Sequence, residues 1–401
     1  MKLRSAGALA IATLLAGAGC NATSSGGTAA TTPTSTLSAT ASPSPTESSA
    51  TPTPSATTAT GGGRLAFVAK KSMYVVRVTA AGKTVGPPGL VGPADARSQP
   101  RWSPLGRYLV WQWNDLSSHS ENSTVVELYD TSTGKLHALR NLNVGDLDAA
   151  GIGAQVIEQH QESTVANVLY DVNLVAHPQG QGTFKQLINA RAAGHRETLV
   201  ETGNLSDANK PATLWLLPPT GSPVKISSIP PLHFLGTNVP TLGWTASAAD
   251  GTHAVFVTAL GQDGACAEGQ SVHLVNLDAK TDVAVALPYK DGDLRTPSYS
   301  SLGVLGGILD ECGSEGPDTN NAFVELHGSS WTTVVPGATI GARGPNDLLA
   351  VQIGTLPKRD YDVYVSQDHP LQIRSRSGAV TATLPTATAV AWTQAATPPK
   401  S

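Results

Sequence analysis

The chain carries no surplus of basic residues. Lys and Arg number 26 against 30 Asp and Glu, and only 14% of its 401 residues are charged, for a formal net charge of -4. A nucleic-acid partner therefore has no electrostatic footprint here. Histidines are few and scattered: ten in all, with no His-Glu-x-x-His or similar metal pair. Positions such as His119, His160, His195, His253 and His369 assemble into no triad by spacing. Gly-x-Ser-x-Gly is also absent, so no hydrolase elbow is signalled. No motif for a cofactor or a metal is found, and none is expected. Long stretches of 3.6-residue apolar period are almost missing, which sets a helical domain aside. Cysteine is the rarest reactive side chain, at Cys20, Cys266 and Cys312 only.

What is present begins with an address. Lys2 and Arg4 precede an apolar run over residues 6–16 that ends in Gly17-Ala18-Gly19-Cys20. This pattern predicts a secretory signal peptide over residues 1–19; the run is too short for a comfortable membrane span. A solitary Cys at the end of such a run predicts lipidation of Cys20. Residues 20–63 hold almost nothing but Ser, Thr, Ala, Pro and Gly, with Glu47 and Leu37 as exceptions. Such a segment buries too little apolar surface to offset its ordering entropy. It reads as a disordered stalk, and its Thr-Pro and Ser-Pro density suits O-glycosylation.

Residues 64–395 form the domain, and residues 396–401 a disordered tail. Short β-branched and aromatic runs alternate there with Gly, Pro, Asn and Asp turns, which argues for an all-β sandwich, barrel or propeller. Repeats decide between these. Arg101-Trp102-Ser103-Pro104-Leu105-Gly106 leads into an apolar strand to Trp113, then a strand over 124–130, a Thr131-Ser132-Thr133-Gly134 turn and a strand over 135–139. Six further copies are rougher: 64–78; 153–158, 167–172 and 184–188; 197–201, 213–217 and 224–226; 243–245, 253–257, 271–277 and 283–287; 303–309, 322–326 and 331–335; 347–353, 361–365 and 379–384. Their period is about 47 residues, close to the roughly 40–45 of a propeller blade. The first copy starts without a Trp-bearing strand, and a matching one, Ala389-Val390-Ala391-Trp392-Thr393, ends the domain. The fold expected is a β-propeller of seven four-stranded blades, closed by that C-terminal strand.

Two resemblances follow from these residues. Gly17-Ala18-Gly19-Cys20 resembles a bacterial lipobox with Gly17 where that family prefers Leu, which implies an acylated Cys20 as the mature N-terminus. Trp102-Ser103-Pro104-Leu105-Gly106 resembles the TolB-type and WD40-like repeat, with Leu105 where those repeats carry Asp. Ala249-Asp250-Gly251 keeps the Asp-Gly. The resemblance implies a fold and no activity.

Trp102, Trp244 and Trp392 recur at blade period, so packing between blades is their expected role, with sugar stacking as the sharper alternative. Cys266 and Cys312 each follow the second strand of adjacent copies. An exported chain sits in an oxidising compartment, so a disulfide is expected, worth on the order of 4 kcal/mol. The same loops hold Asp263, Glu268, Asp310, Glu311, Glu315 and Asp318, a spacing that matches no defined calcium loop. The expected protein is a monomeric lipoprotein, held on the outer face of a cell membrane by its lipid anchor. Low Lys with high Ala and Thr points to a high-GC bacterium. A non-enzymatic module binding a protein or an envelope glycan is the favoured function. A hydrolase or lyase acting on sugars or peptides is the alternative, to be told apart at the central channel.

Overall fold

Among the described residues, short apolar runs punctuated by turns fold into 28 strands, grouped as seven four-stranded antiparallel sheets. The computed structural model describes residues 62–96, 98–115, 124–140, 142–160, 163–194, 197–203, 210–230, 241–248, 251–259, 271–288, 292–299, 304–311, 321–354 and 369–393. Blade 1 holds β1 (Gly63–Ala69), β2 (Ser72–Val78) and β3 (Thr84–Pro93). Blade 2 is β4 (Arg101–Trp102), β5 (Tyr108–Asn114), β6 (Thr124–Asp130) and β7 (Lys135–Arg140). Blade 3 is β8 (Val144–Ala150), β9 (Gly153–His160), β10 (Thr164–Asp171) and β11 (Ala176–Thr183). Blade 4 is β12 (Leu187–Ala192), β13 (Thr198–Thr202), β14 (Ala212–Leu217) and β15 (Val224–Ile229). Blade 5 is β16 (Thr241–Ser247), β17 (His253–Ala259), β18 (Ser271–Asn276) and β19 (Thr281–Ala286). Blade 6 is β20 (Gly292–Tyr299), β21 (Leu305–Glu311), β22 (Ala322–His327) and β23 (Ser330–Pro336). Blade 7 is β24 (Ala338–Arg343), β25 (Leu349–Ile353), β26 (Leu371–Arg374) and β27 (Val380–Leu384).

The last strand, β28 (Ala389–Trp392), completes blade 1 by pairing antiparallel with β1, Leu65 opposite Trp392. Arg64 N–H donates to Thr393 Oγ1 at 2.8 Å, and Thr393 N–H donates back to Arg64 O at 2.9 Å. The first strands touch in a circle: β4 meets β8, β8 meets β12, and so on through β16, β20 and β24 to β28, which meets β4. That circle is a closed seven-bladed propeller, as the repeat count predicts.

Alternating apolar residues bury one face of each sheet against the next blade. Seven separate core clusters result, one per interface. Phe67, Leu371 and Trp392 anchor the blade 7–1 interface; Leu109 and Trp111 anchor blade 1–2; Leu214, Phe256 and Val275 anchor blade 4–5. Turn chemistry sets the register. Gly106 (φ 64) closes the Ser103 turn, donating its N–H to Ser103 O at 2.7 Å. A Cβ there would lie 2.7 Å from Thr393 of blade 1, so only Gly fits both conformation and space.

Several strand expectations shift. Residues 184–188 do not form the fourth strand of blade 3; Ala176–Thr183 does, and Leu187–Ala192 opens blade 4. That fourth strand carries Pro178, Gly180 and Gly182, which an edge strand tolerates and which hide it from a hydrophobic pattern. The expected strand over 361–365 lies outside the described residues; the third strand of blade 7 is Leu371–Arg374. The first strands of blades 3, 4, 6 and 7 went unanticipated.

Candidate functional site

The first strands carry the residues that meet on the propeller axis. The register identifies equivalent positions. Trp102 faces Leu109, Ser247 faces Ala254 and Arg343 faces Leu349, each next to the turn into the second strand, and Trp392 faces Leu65 across the seam. Ser247, and not Trp244, thus occupies in blade 5 the place of Trp102 and Trp392. Seven residues separate Trp244 from Gly251 of the turn against four from Trp102 to Gly106, which sets the Trp earlier on its strand; its side chain lies outside the described residues. Trp102 donates its indole N–H to Ala391 O of blade 1 at 3.1 Å. The Trp392 ring lies over Gly344 of blade 7, where an added Cβ would come within 2.4 Å of it.

Between these positions lies a cavity of about 110 Å³, lined from six blades. Blade 3 contributes Asp148, which accepts the Ser247 hydroxyl of blade 5 at 2.8 Å and the Ala149 N–H at 2.8 Å. Ser247 in turn rests on Gly194 of blade 4, whose φ of 78 and missing Cβ give it room. Asp148 keeps a partial opening onto the cavity, yet protein surrounds it. Lost hydration pushes its carboxyl above the usual range, against the pull of Arg101, Ser247 and the Ala149 N–H. Arg343 enters from blade 7, tied to Glu325 and Asp347. Burial lowers its pKa from the ordinary arginine value. Arg101 enters from blade 2 and has no hydrogen bond or ion pair among the described residues.

Blade 6 supplies an irregular segment. β20 bulges between Arg295 and Ser298, and Thr296 there has φ 47, an outlier for a β-branched residue. The Thr296 and Ser298 hydroxyls and the Trp392 indole N–H are buried in the wall without a hydrogen-bond partner. Strained backbone and unpaired buried groups concentrate at ligand sites.

Away from the axis, Ser271 Oγ lies 2.7 Å from His273 Nε2, and His273 Nδ1 lies 2.9 Å from Asp282 Oδ2. The order is that of a Ser-His-Asp relay. His273 is buried, stacks on Phe256 at 4.3 Å, and Asp282 also accepts Ser227 Oγ–H of blade 4 at 2.7 Å. Ser271 is not among the residues lining the axial cavity.

Cys20, Cys266, Cys312, Asp263, Glu268, Glu315 and Asp318 lie outside the described residues, as do the side chains of Asp310 and Glu311. Among the described residues, no group of three or more His, Cys, Asp or Glu could hold a metal ion.

No family model matches the sequence, and no curated protein matches it. Solved structures do. A periplasmic gluconolactonase of Pseudomonas aeruginosa is 14% identical with a TM-score of 0.50, covering 82% of this chain and 99% of its own. An acylaminoacyl peptidase of Pyrococcus horikoshii is 10% identical with a TM-score of 0.47, over 78% of this chain and 48% of its own. The β-propeller domain of the trilobed protease from Pyrococcus furiosus is 10% identical with a TM-score of 0.42, over 77% and 94%. The likeness is one of fold alone. The chain is similar to propellers, and at these identities no activity travels with the similarity.

One more buried acid sits in this propeller, near the opposite end of the first strands. Glu201 of β13 is fully buried and accepts the Leu242 N–H of blade 5 at 2.8 Å through Oε2; Oε1 has no partner. Arg191 binds Leu242 O and Gly145 O nearby, and lies 3.7 Å from Asp146. Burial raises Glu201 to about 7, with the Leu242 N–H and Arg191 pulling the other way. Sequence reading missed Arg101, Asp148, Ser247 and Thr296. Their one visible signal is polar residues at blade-period spacing just before each turn.

Proposed function

We propose that the chain is a lipid-anchored, extracytoplasmic binding module that captures an envelope glycan in its axial cavity. The observation that carries this reading is the cavity itself, polar, lined from six blades, and walled by hydroxyl and indole groups left without partners. Ligand sites have this character, with a few convergent polar groups in a preformed recess. Among the described residues the exposed large apolar side chains are few: Val85 and Leu90 on β3, Leu105, Ile152, Val175, Val283 and Val380. Cys20 supplies the anchor, and diacylglyceryl plus an amide-linked chain gives the multi-chain attachment that one acyl chain lacks.

The experiment is capture of solubilised envelope polysaccharide by the full chain, with two variants. Ala246→Phe adds bulk at a residue that lines the cavity and also packs in the blade 5–6 core; it should abolish capture and lower the melting temperature, with a cooperative transition showing that the domain still folds. Cys20→Ala should leave capture intact but shift the protein from the membrane to the soluble fraction. Capture that survives Ala246→Phe unchanged would move the site off the axis.

A hydrolase is the second reading, and the Ser271-His273-Asp282 relay is what favours it. There Ser271 Oγ would be the nucleophile, His273 the base, and Asp282 the group orienting it. A serine-directed fluorophosphonate should label Ser271 in that case, and lose the label in Ser271→Ala. A folded chain that takes up no label rules the relay out as a nucleophile.

A further inference from the structure

The inference rests on the cavity being the ligand site and names the ligand's chemistry. Its charges are unevenly spent. Arg343 is held by Glu325 and Asp347 in the wall of blade 7. Asp148 is committed to Ser247 and to the Ala149 N–H. Arg101 alone of the three has no hydrogen bond or ion pair among the described residues, though Asp148 is near enough to feel its charge. A half-buried guanidinium keeps five donors in a planar fork, the shape that takes a carboxylate with two hydrogen bonds.

The remaining polar groups are of another kind. Thr296 and Ser298 bring hydroxyls with no partner, able to give and to accept. Gln99 brings an amide from the segment before β4. Trp102, half-buried, adds indole surface beside Ala391. Hydroxyls, an amide and an indole together suit a polyhydroxylated ligand, whose C–H face packs on an aromatic ring while its edges hydrogen-bond. The volume sets the size. The cavity, about 110 Å³, has room for on the order of seven to eleven waters at the roughly 10–15 Å³ minimum for one, a size that suits a single monosaccharide.

We infer that the axial cavity takes a sugar acid of monosaccharide size, free or at the end of a glycan, with its carboxylate on Arg101 and its hydroxyls toward Thr296, Ser298 and Gln99. The strained turn at Thr296 is then part of the recognition surface, holding the blade 6 segment toward the axis.

Titration calorimetry on the full chain tests this with D-glucuronate, D-galacturonate, D-glucose and acetate. One of the two uronates should bind, about ten- to a hundredfold more tightly than glucose or acetate, the factor expected for a charge-assisted contact. Arg101→Gln should lose about that factor. Arg376→Gln, at an exposed arginine outside the cavity that pairs with Asp347, should bind the uronate as the wild type does. Glucose binding as tightly as the uronates overturns the assignment of the carboxylate. Acetate binding as tightly overturns the polyol. Uronate binding untouched by Arg101→Gln overturns the role of that residue. If neither uronate binds while Ala246→Phe still abolishes glycan capture, the inference falls and the cavity keeps its glycan. If capture is also indifferent to Ala246→Phe, both fall. Uronate arms and polysaccharide arms separate a free acid from a chain end.

Discussion

Removal of residues 385–401 is expected to unfold or aggregate the domain. Those residues include β28, which supplies the first strand of blade 1 and the contact with β24 and β4 on either side. Without it β1 becomes an open edge, with its N–H and C=O groups unpaired along Leu65 to Val68. The core cluster shared by blades 7 and 1 loses Ala387 and Trp392, and the adjoining cluster loses Ala389. Trp392 is 4% exposed, and truncating such a residue to Ala costs about 3–5 kcal/mol. Whole-domain stability is about 5–15 kcal/mol. Trp392→Ala alone should therefore lower the melting temperature by many degrees, and loss of the strand should leave no cooperative transition. Light scattering and circular dichroism on heating read both. A truncated chain that remains monomeric and melts with the wild type would mean the ring is not held shut by this strand.

Replacing Glu201 by Gln should make the domain more stable at neutral and alkaline pH, and flatten its pH dependence. The folded state holds the Glu201 proton up to about pH 7, whereas the unfolded chain releases it near 4.5. Between those values the folded state binds more protons, so wild-type stability falls as pH rises through that window. At 1.36 kcal/mol per pH unit the gap amounts to on the order of 3 kcal/mol. Gln keeps an oxygen for the Leu242 N–H and has no charge to bury. Urea midpoints at pH 4.5 and pH 8 measure the difference between wild type and variant. Glu201→Gln should gain little at the lower pH and most at the higher. The same slope in both proteins would show that Glu201 is ionised in the folded state.

The sequence made blades 2 and 5 legible because their turns keep recognisable chemistry and their second and third strands alternate cleanly. The closing strand was legible because its Trp repeats that of β4. First strands elsewhere were not. Val144–Ala150 carries Asp146 and Asp148, Gly292–Tyr299 carries Asp293, Arg295 and Pro297, and Ala338–Arg343 carries Gly341 and Arg343. Such strands are too polar or too broken to show an apolar period, since residues toward the axis alternate there with ones such as Leu147, Leu294 and Ala342 that pack between blades. The same cause hid the site, because the residues that make the cavity are the ones that spoil the pattern. Trp244 stands three residues before the place equivalent to Trp102, because seven residues separate it from Gly251 of the turn against four between Trp102 and Gly106. The Ser271, His273 and Asp282 relay depends on a diagonal between β18 and β19, which no linear spacing reports.

The bond between Arg64 and Thr393 spans 329 residues. Joining points so far apart in an unstructured chain costs about 5 kcal/mol in loop entropy, so this contact is a poor place to begin folding. Once the six intervening blades have formed, both partners already stand side by side and most of that cost has been met by other contacts. The seam is therefore the last thing made. A nascent chain cannot complete its first sheet until its final strand has cleared the ribosome. Until then the molecule stays open at one place, and that opening lies where Gly63 meets Pro345 and Thr393, at the end of the ring where the cavity lies.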